Sequence, residues 1–460
     1  MKEFKIIENF KYVVLSSPLK VFLDITNSCN LKCLFCYKKT KQKKSNINKV
    51  LKILEELKKA NIIDVVMAGG EPFYTQAPIK ILNSAIEMGL GVGVVSNGTL
   101  LTEEITHRLP PGIDFTISFH APNAEKYEEL TGVAFSFEKV VNGLKNLNTV
   151  GIIPGILFTP TKYNKDQLFN TVKFLIDSNI QFSCVQVNRL IPEGKALKLW
   201  KELFINLDDY KELLDQMLKV KENWPDVRIE TGDAVPFCAF EERFHDFFVR
   251  CDYGITVVAI DEKGNVKRCP CRKEISGNIF EKPLQKIWSE SESLIAYRNL
   301  NTFSEKCKKC SLFELCGGGC LCSAIKSGVH IDSYLNGNTF QPLTLPKPNT
   351  DYLKKKFTIL PNAPKKNTEY IVRKESDRLL CIPIGVQKVF FDSIIPKNCK
   401  FPVLWINETD KEILNLVDGN KTVAEMSNEI SSKHQMELYV AENIVKETIK
   451  SFIEYNYIGQ

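Results

Sequence analysis

The chain has 460 residues, of which 44% are hydrophobic and 25% charged, a composition typical of a globular protein with two or three domains. The formal net charge of +6 is small for this length, so composition does not indicate nucleic-acid binding. No apolar run approaches the length of a membrane span, and the N-terminal sequence MKEFKIIENF lacks the apolar segment of a signal peptide. Fifteen cysteines in this context favour metal clusters over disulfides. We therefore expect a cytoplasmic protein with no nucleic-acid or membrane partner.

Strand and helix patterns alternate between residue 20 and about residue 200. Helical patterns such as residues 50–60 and 167–179 separate six apolar strand candidates. These candidates are Val21–Ile25, Ile62–Ala68, Gly91–Ser96, Ile113–Phe119, Ile153–Phe158 and Phe182–Val187. Six βα units predict an α/β fold in which a parallel sheet curls into a partial (βα)6 barrel with the helices outside. The chemistry of such folds lies at the carboxyl ends of the strands, so the residues that follow each strand are the candidate site.

Three thiols follow the first strand at CxxxCxxC spacing, namely Cys29, Cys33 and Cys36. Three thiolates within eight residues can bind three irons of a four-iron cluster and leave the fourth iron open to a ligand. Soft thiolates favour an iron–sulfur cluster or zinc over hard cations. A zinc knuckle is the alternative, and it requires two paired ligands elsewhere at fixed spacing.

This spacing, with Tyr37 at the aromatic position after the third cysteine, resembles the signature of the radical S-adenosylmethionine (radical SAM) enzymes. Gly69-Gly70-Glu71-Pro72, after the second strand, resembles the family motif that holds the amino group of the methionine moiety. Two glycines let the backbone approach a ligand closely. The alternative is an ordinary strand-to-helix turn with proline at the helix start.

The resemblance implies further SAM contacts at the ends of later strands. Ser96 and Asn97 follow the third strand, and their side chains can donate to a ribose or carboxylate, although an Asn-Gly turn is the alternative. Ser118 follows the fourth strand and is a SAM contact by resemblance.

Asn188 and Arg189, after the sixth strand, resemble a return segment of the family and are expected to contact SAM. A salt bridge at the surface is the alternative for Arg189. His120 stands where relatives often carry Asp. It is the one candidate for an acid or base that faces the substrate, and a satisfied structural histidine is the alternative.

A second group of nine cysteines lies between residues 230 and 330. Residues 255–268 read as a β-hairpin that delivers Cys269. The arrangement resembles the SPASM extension, which holds two auxiliary Fe–S clusters in many radical SAM enzymes that modify peptides. By this resemblance the first auxiliary cluster takes Cys251, Cys269, Cys320 and either Cys238 or Cys271, of which we select Cys238. The second takes Cys307, Cys310, Cys316 and either Cys322 or a ligand other than cysteine, of which we select Cys322. Structural zinc sites are the alternative for this region.

The rest of the chain reads as a linker, residues 331–366, and a small α+β domain. Three strand patterns precede three helical patterns, and Thr422 is a plausible helix cap. The strand patterns are residues 370–376, 378–384 and 386–392, and the helical patterns are residues 408–419, 422–433 and 438–455. With a final strand-like segment, they resemble the winged-helix-like domain of the pyrroloquinoline-quinone-D (PqqD) type, which binds a leader peptide by adding a strand to an exposed edge. A winged-helix nucleic-acid binder is the alternative. The helical pattern at residues 408–419 is acidic, however, and would be repelled by phosphates.

We therefore divide the chain into a radical SAM barrel (residues 15–205), a SPASM domain (206–330), the linker and a PqqD-like domain (367–460). The resemblance implies one SAM-binding and two auxiliary [4Fe–4S] clusters, with S-adenosylmethionine as cosubstrate. It implies an enzyme that generates a 5′-deoxyadenosyl radical and forms a thioether, C–C or C–O crosslink in a ribosomally made precursor peptide. An electron donor such as flavodoxin or ferredoxin is the expected second partner. A radical SAM enzyme for a tetrapyrrole or other non-peptide substrate and a non-catalytic Fe–S electron carrier are the alternatives.

Overall fold

The computed structural model divides the chain into two compact units, Met1–Thr344 and Leu345–Gln460. Its described residues are 15–38, 46–310, 312–323, 332–335, 365–366, 370–375, 378–383, 404–406, 408–418, 420–454 and 458–459. Among these residues, no helix combines the length and the apolar character needed to cross a bilayer.

A ten-stranded sheet organises the first unit, and seven consecutive parallel strands form most of it. These strands are β1 Lys20–Thr26, β2 Asp64–Gly69, β3 Gly91–Ser96, β4 Ile113–Ser118, β5 Gly155–Phe158, β6 Val185–Val187 and β7 Ile229–Thr231. They neighbour one another in chain order, as the predicted barrel requires. The six predicted strands are confirmed, and several begin two or three residues later than the apolar pattern.

The predicted hairpin extends the sheet on the other side of β1. Strand β8 (Val257–Ile260) pairs in parallel with β1, and β9 (Asn265–Lys267) pairs antiparallel with β8. A two-residue strand, β10 (Gly277–Asn278), completes that edge. The hairpin therefore connects the cysteines of residues 230–330 to β1, the strand that precedes Cys29, Cys33 and Cys36.

Helices cover the outside of the parallel strands. They are Ile47–Lys59, Pro78–Glu87, Glu103–Thr106, Ala124–Thr131, Ser136–Thr149, Leu168–Asp177, Gly194–Lys198, Trp200–Leu203 and Leu207–Asn223. In the first, Val50, Ile53, Leu54 and Leu57 recur at helical spacing and are buried, while the Asn46 side chain accepts from the Lys49 N–H and caps the helix. Burial of such stripes against the sheet forms the core.

The region after β7 consists of short elements around the cysteines. Its helices are Leu284–Glu290, Glu292–Arg298, Glu305–Lys308 and Phe313–Cys316. Fully buried Trp288 joins this region to the start of the barrel, because its indole N–H donates to the Leu15 carbonyl at 2.7 Å.

In its described residues, the second unit contains antiparallel strands and three helices. Tyr370–Glu375 pairs with Arg378–Pro383, which pairs with Leu404–Ile406, and Lys365–Lys366 pairs with Ile458–Gly459. The helices are Glu408–Leu416, Val423–His434 and Leu438–Glu454. Thr422 caps the second helix in a reciprocal capping box with Glu425. The strand predicted at 386–392 lies outside the described residues.

The predicted linker also falls largely outside the described residues. Its described part near the start differs from the prediction, because Asp332–Leu335 folds into the first unit. Ser333–Leu335 forms a 3-10 turn in which Tyr334 and Leu335 are buried. The sequence pattern missed this because one turn is too short to show periodicity.

Candidate functional site

The loop that carries Cys29, Cys33 and Cys36 leaves β1 and lies against the C-terminal end of the helix Ala124–Thr131. The Lys32 N–H donates to the Thr131 carbonyl and the Leu34 N–H to the Leu130 carbonyl, each at 2.9 Å. Because the last carbonyls of a helix have no partner within it, these bonds satisfy the helix end and fix the loop. All three cysteines are half-buried.

These thiols stand in an environment that resists negative charge. Burial, followed by the charges of Glu71 and Cys36, raises the pKa of Cys29 to about 11. Burial and the other two thiols raise the pKa of Cys33 even further, and burial also raises that of Cys36. Three clustered thiolates therefore need a bound cation to balance them. The donor set fits a thiolate-ligated iron cluster with one iron left open.

Gly69 and Gly70 hold this loop through backbone contacts. A Cβ on Gly69 would lie 2.1 Å from the Thr26 oxygen, and one on Gly70 would lie 2.0 Å from the Ser28 oxygen. The Gly70 N–H donates to Thr26 at 2.7 Å, and the Glu71 N–H donates to Ser28 at 2.8 Å. The glycines are therefore needed for the packing of the cysteine loop, and their contact with SAM stays a prediction.

Glu71 is a buried carboxylate that connects two of the predicted loops. One oxygen accepts from Phe73 N–H at 3.1 Å and Ser96 Oγ at 2.8 Å, and the other accepts from Asn97 N–H at 2.7 Å. Burial raises the pKa of Glu71 to about 7 despite these donors. Pro72 follows at the start of a 3-10 turn in which Pro72 and Phe73 are buried. The carboxylate of Glu71 thus positions the loops after β2 and β3.

Asn97 carries this network to the cysteines. Its side-chain amide donates to Asn30 Oδ1 at 2.9 Å and lies 3.9 Å from Cys29 Sγ. Asn30 in turn donates to Thr99 Oγ1 at 2.8 Å. Sequence analysis missed Asn30 and Thr99 as site residues, although both lie next to the motifs it identified.

His120 is buried and neutral at physiological pH, since burial lowers its pKa to about 3. Its Nδ1 accepts from Thr159 N–H at 3.1 Å, and its ring meets that of Phe35 edge-on at 4.7 Å. This environment favours the structural alternative, in which His120 supports the cysteine loop through Phe35. Half-buried Ser118 accepts the Tyr127 hydroxyl on its carbonyl at 3.2 Å, and its SAM contact stays a prediction.

Arg189 lies in a buried ion pair, and its SAM contact stays a prediction. Its guanidinium forms a bidentate ion pair with Asp332, with nitrogen–oxygen distances of 2.6 and 2.8 Å, and also donates to the Ala234 carbonyl. The two side chains are 2% and 0% exposed. The alternative interpretation, a salt bridge at the surface, is wrong in one respect, because the pair is buried.

Asn188 and Tyr37 remain near the expected site. The Asn188 N–H donates to the Phe158 carbonyl at 2.8 Å, and its side chain is half-buried beside Gly232. The pKa of the Tyr37 phenol lies well above its ordinary value because of burial and, next, the Cys271 thiol. Tyr37 therefore lies near thiols of both cysteine regions, Cys36 of the first and Cys271 of the second.

The nine cysteines of the second region form two groups, and their membership corrects the prediction. The Cys238 thiol lies with those of Cys307, Cys310 and Cys316, which all line one cavity. The Cys269, Cys271 and Cys322 sulfurs lie within 4.8 Å of one another. Cys320 contacts Cys322, and Cys251 is close to both Cys269 and Cys320. Cys238 and Cys322 are thus exchanged relative to the predicted ligand sets.

Three glycines separate the two groups where the sequence runs from Cys316 to Cys320. Gly317, Gly318 and Gly319 have φ values of 62°, 76° and 80°. Successive residues in this left-handed region turn the chain sharply, which only glycine does without strain. The turn sends Cys316 to the group of Cys238, Cys307 and Cys310, and it sends Cys320 to the group of Cys251, Cys269, Cys271 and Cys322.

Two stretches of the chain match known families. Residues 23–175 match the radical SAM superfamily, and residues 251–311 match the SPASM iron–sulfur cluster-binding domain. The chain is a radical SAM/SPASM enzyme, a class whose cofactors are [4Fe–4S] clusters and S-adenosylmethionine.

Individual relatives are distant but extensive. Mycofactocin maturase MftC of Mycolicibacterium smegmatis is 26% identical over 69% of this chain and 82% of its own length. An AdoMet-dependent heme synthase of Oleidesulfovibrio alaskensis is 23% identical over 67% and 84%. Among solved structures, SuiB of Streptococcus suis bound to its precursor peptide SuiA aligns with a TM-score of 0.58 and 21% identity, covering 70% of this chain and 77% of SuiB.

Proposed function

We propose that this enzyme is a maturase that oxidatively crosslinks a ribosomally made precursor peptide. Two findings support a peptide substrate: a relative named as a maturase, and the shared fold of a protein solved with its precursor peptide. The observation that carries the catalytic part is the CxxxCxxC loop, held at the carboxyl end of β1 by Gly69, Gly70 and the Glu71 network.

The residues of this chain position the reactants and shield them. Cys29, Cys33 and Cys36 would hold the cluster, and its chemistry, when bound and reduced, would be the transfer of the electron that cleaves SAM to methionine and a 5′-deoxyadenosyl radical. The Glu71 carboxylate fixes the loop after β3, where Ser96 and Asn97 would contact SAM. Half-buried Phe35 contributes apolar surface beside the cysteine loop, which disfavours water around a reactive radical. A small electron-transfer protein would supply the electron.

The second unit would bind the leader of the peptide. Within its described sheet, Tyr370–Glu375 and Leu404–Ile406 are the two edge strands, because each pairs only with Arg378–Pro383. An edge strand presents backbone N–H and C=O groups that an extended peptide can pair with. Binding there would raise the local concentration of the peptide through tethering.

A tetrapyrrole substrate is the second candidate, because heme synthases are among the relatives. The test uses the full-length chain, reconstituted anaerobically with iron and sulfide and reduced with dithionite. It is given SAM with synthetic peptides encoded by short reading frames beside the gene or, separately, with coproporphyrin-type carboxylates. We expect deoxyadenosine, and one peptide that loses two hydrogen atoms per crosslink by mass spectrometry. Decarboxylation of the tetrapyrrole with every peptide unchanged would overturn the proposal.

The matched variants are Cys33→Ala and Cys184→Ala. Cys33→Ala should abolish deoxyadenosine formation while the iron of the SPASM domain remains. Cys184 is a buried thiol next to β6, away from the cysteine loop in sequence, and its variant should keep the activity. Peptide modification that persists in Cys33→Ala would refute the assignment of this loop.

A further inference from the structure

We infer that Cys238 is the fourth ligand of the auxiliary cluster held by Cys307, Cys310 and Cys316, so that this cluster has protein thiolates on all four irons. The inference concerns only the metal sites and does not depend on the substrate. It replaces the predicted fourth ligand, Cys322, and makes this cluster one that transfers electrons without binding substrate at an open iron.

The first support is the lining of one cavity. The four cysteines line a single cavity. The other residues that line it are glycine or apolar: Pro236, Phe237, Leu312, Phe313, Gly318 and Leu335. Four sulfur donors in an otherwise apolar wall are what a Cys₄-ligated four-iron cluster requires.

The second support is the way the chain brings Cys238 to this wall, about seventy residues before Cys307. Cys238 is the middle residue of the 3-10 turn Phe237–Ala239. Phe237 packs with Leu312 and Cys316 in a small buried cluster. The Cys316 thiol also points to the Val235 carbonyl at 3.9 Å. The segment before Cys238 is thus packed against the segment that carries the other ligands.

The electrostatic environment agrees with this placement. Burial, and then the charges of Cys316, Cys307 and Cys310, raises the pKa of the Cys238 thiol to about 12. The charges of all three proposed co-ligands thus affect the pKa of this thiol.

Cys322 is committed to the other group. Its sulfur lies 3.4 Å from that of Cys269, and it also contacts Cys271 and Cys320. The carboxylate of Asp332 is not the missing ligand either, since both its oxygens pair with Arg189 and one accepts from the Cys320 N–H at 2.9 Å.

The first auxiliary site, that of Cys251, Cys269 and Cys320, then has five thiols for a cluster that takes four. Cys251, Cys269 and Cys320 match the family positions, and the Cys271 and Cys322 sulfurs both lie within 4.8 Å of that of Cys269, so either thiol could be the fourth ligand. Removal of Cys322 alone should leave a complete set of four. Removal of Cys238 should leave only three thiolates at its own site.

The test compares full-length Cys238→Ala, Cys322→Ala and Cys307→Ala variants, with Cys184→Ala as the control. Each is reconstituted anaerobically and measured for iron, sulfide, and Mössbauer and EPR spectra, without any peptide. Cys238→Ala and Cys307→Ala should lose the same spectral component. The loss is either the whole cluster, about four irons, or one iron with conversion to a three-iron cluster. Cys322→Ala should keep about twelve irons per chain, as should the control.

A carboxylate variant keeps the test decisive if Cys238→Ala does not fold. Cys238→Asp offers an oxygen ligand, and it should retain the cluster with one iron altered in its Mössbauer isomer shift. Full wild-type spectra in both Cys238 variants, or loss of the Cys307 component in Cys322→Ala, would overturn the inference. Because no peptide is present, failure here is distinguishable from failure of the proposed peptide activity.

Discussion

The buried ion pair of Arg189 and Asp332 joins the end of β6 to the turn at Ser333–Leu335, 143 residues further along the chain. Asp332→Asn keeps the size of the side chain but removes its charge. Each oxygen of Asp332 accepts from Arg189 and from a backbone N–H: Oδ2 from Cys320 at 2.9 Å and Oδ1 from Tyr334 at 3.0 Å. In either orientation of an asparagine, its NH₂ group would therefore face two N–H donors, one from the Arg189 guanidinium and one from the backbone.

The cost follows from burial. An Arg189 charge left without its counter-ion in a site of this kind destabilises a protein by about 3–5 kcal/mol. At a urea dependence of about 3 kcal/mol per molar, this moves the unfolding midpoint of the first unit down by about 1 M or more. The double variant Arg189→Met, Asp332→Leu removes both charges, so it should be less destabilised than Asp332→Asn alone.

The assay is urea unfolding under anaerobic conditions, followed by circular dichroism and by the absorbance of the clusters. The control makes the same chemical change in an exposed pair, Asp177→Asn, whose partner Lys173 lies at 2.5 Å with both side chains more than half exposed. That variant should stay within about 1 kcal/mol of the wild type. The reasoning is refuted if Asp332→Asn shifts the midpoint no further than Asp177→Asn does.

Two further predictions test the supports of the cysteine loop. Gly69→Ala should reduce the iron bound by Cys29, Cys33 and Cys36, because the new methyl group would lie 2.1 Å from the Thr26 oxygen. Gly89 also has a positive φ, but a Cβ there would have no atom within 4 Å, so Gly89→Ala should retain the iron. Equal iron in the two variants would contradict the steric argument. His120→Gln should leave the pH profile of deoxyadenosine formation unchanged and should flatten the loss of stability on the acid side. The pKa of His120 is about 3 in the folded protein and 6.5 when unfolded, so acid protonates the unfolded chain first. The stability that neutral His120 contributes is therefore complete above pH 6.5, and the free energy of unfolding is lower by about 2 kcal/mol at pH 5. A profile that loses one ionisation in His120→Gln would instead make His120 an acid or base in the reaction.

The sequence was sufficient for the parts of the molecule that local pattern determines. Apolar runs separated by amphipathic segments gave the six strands of the barrel, and the position of Cys29, Cys33 and Cys36 directly after β1 placed them at its carboxyl edge. Thr422 was found as a cap because capping uses residues only three positions apart.

Long-range partners could not be obtained in this way. Which thiols share a cluster depends on the turn at Gly317–Gly319 and on the packing of Phe237, neither of which has a spacing rule. Cys238 and Cys322 were exchanged for this reason. The buried partner of Arg189, Asp332, was missed because it lies in a segment that composition marks as a linker.

The most direct test of the account is the cleavage of SAM by the reconstituted, reduced protein. The account predicts 5′-deoxyadenosine and methionine in equal amounts from the wild type and none from Cys33→Ala, whose SPASM-domain iron is unchanged. A wild-type protein that carries zinc in the Cys29–Cys36 loop, or that leaves SAM intact under strong reductant, would contradict it.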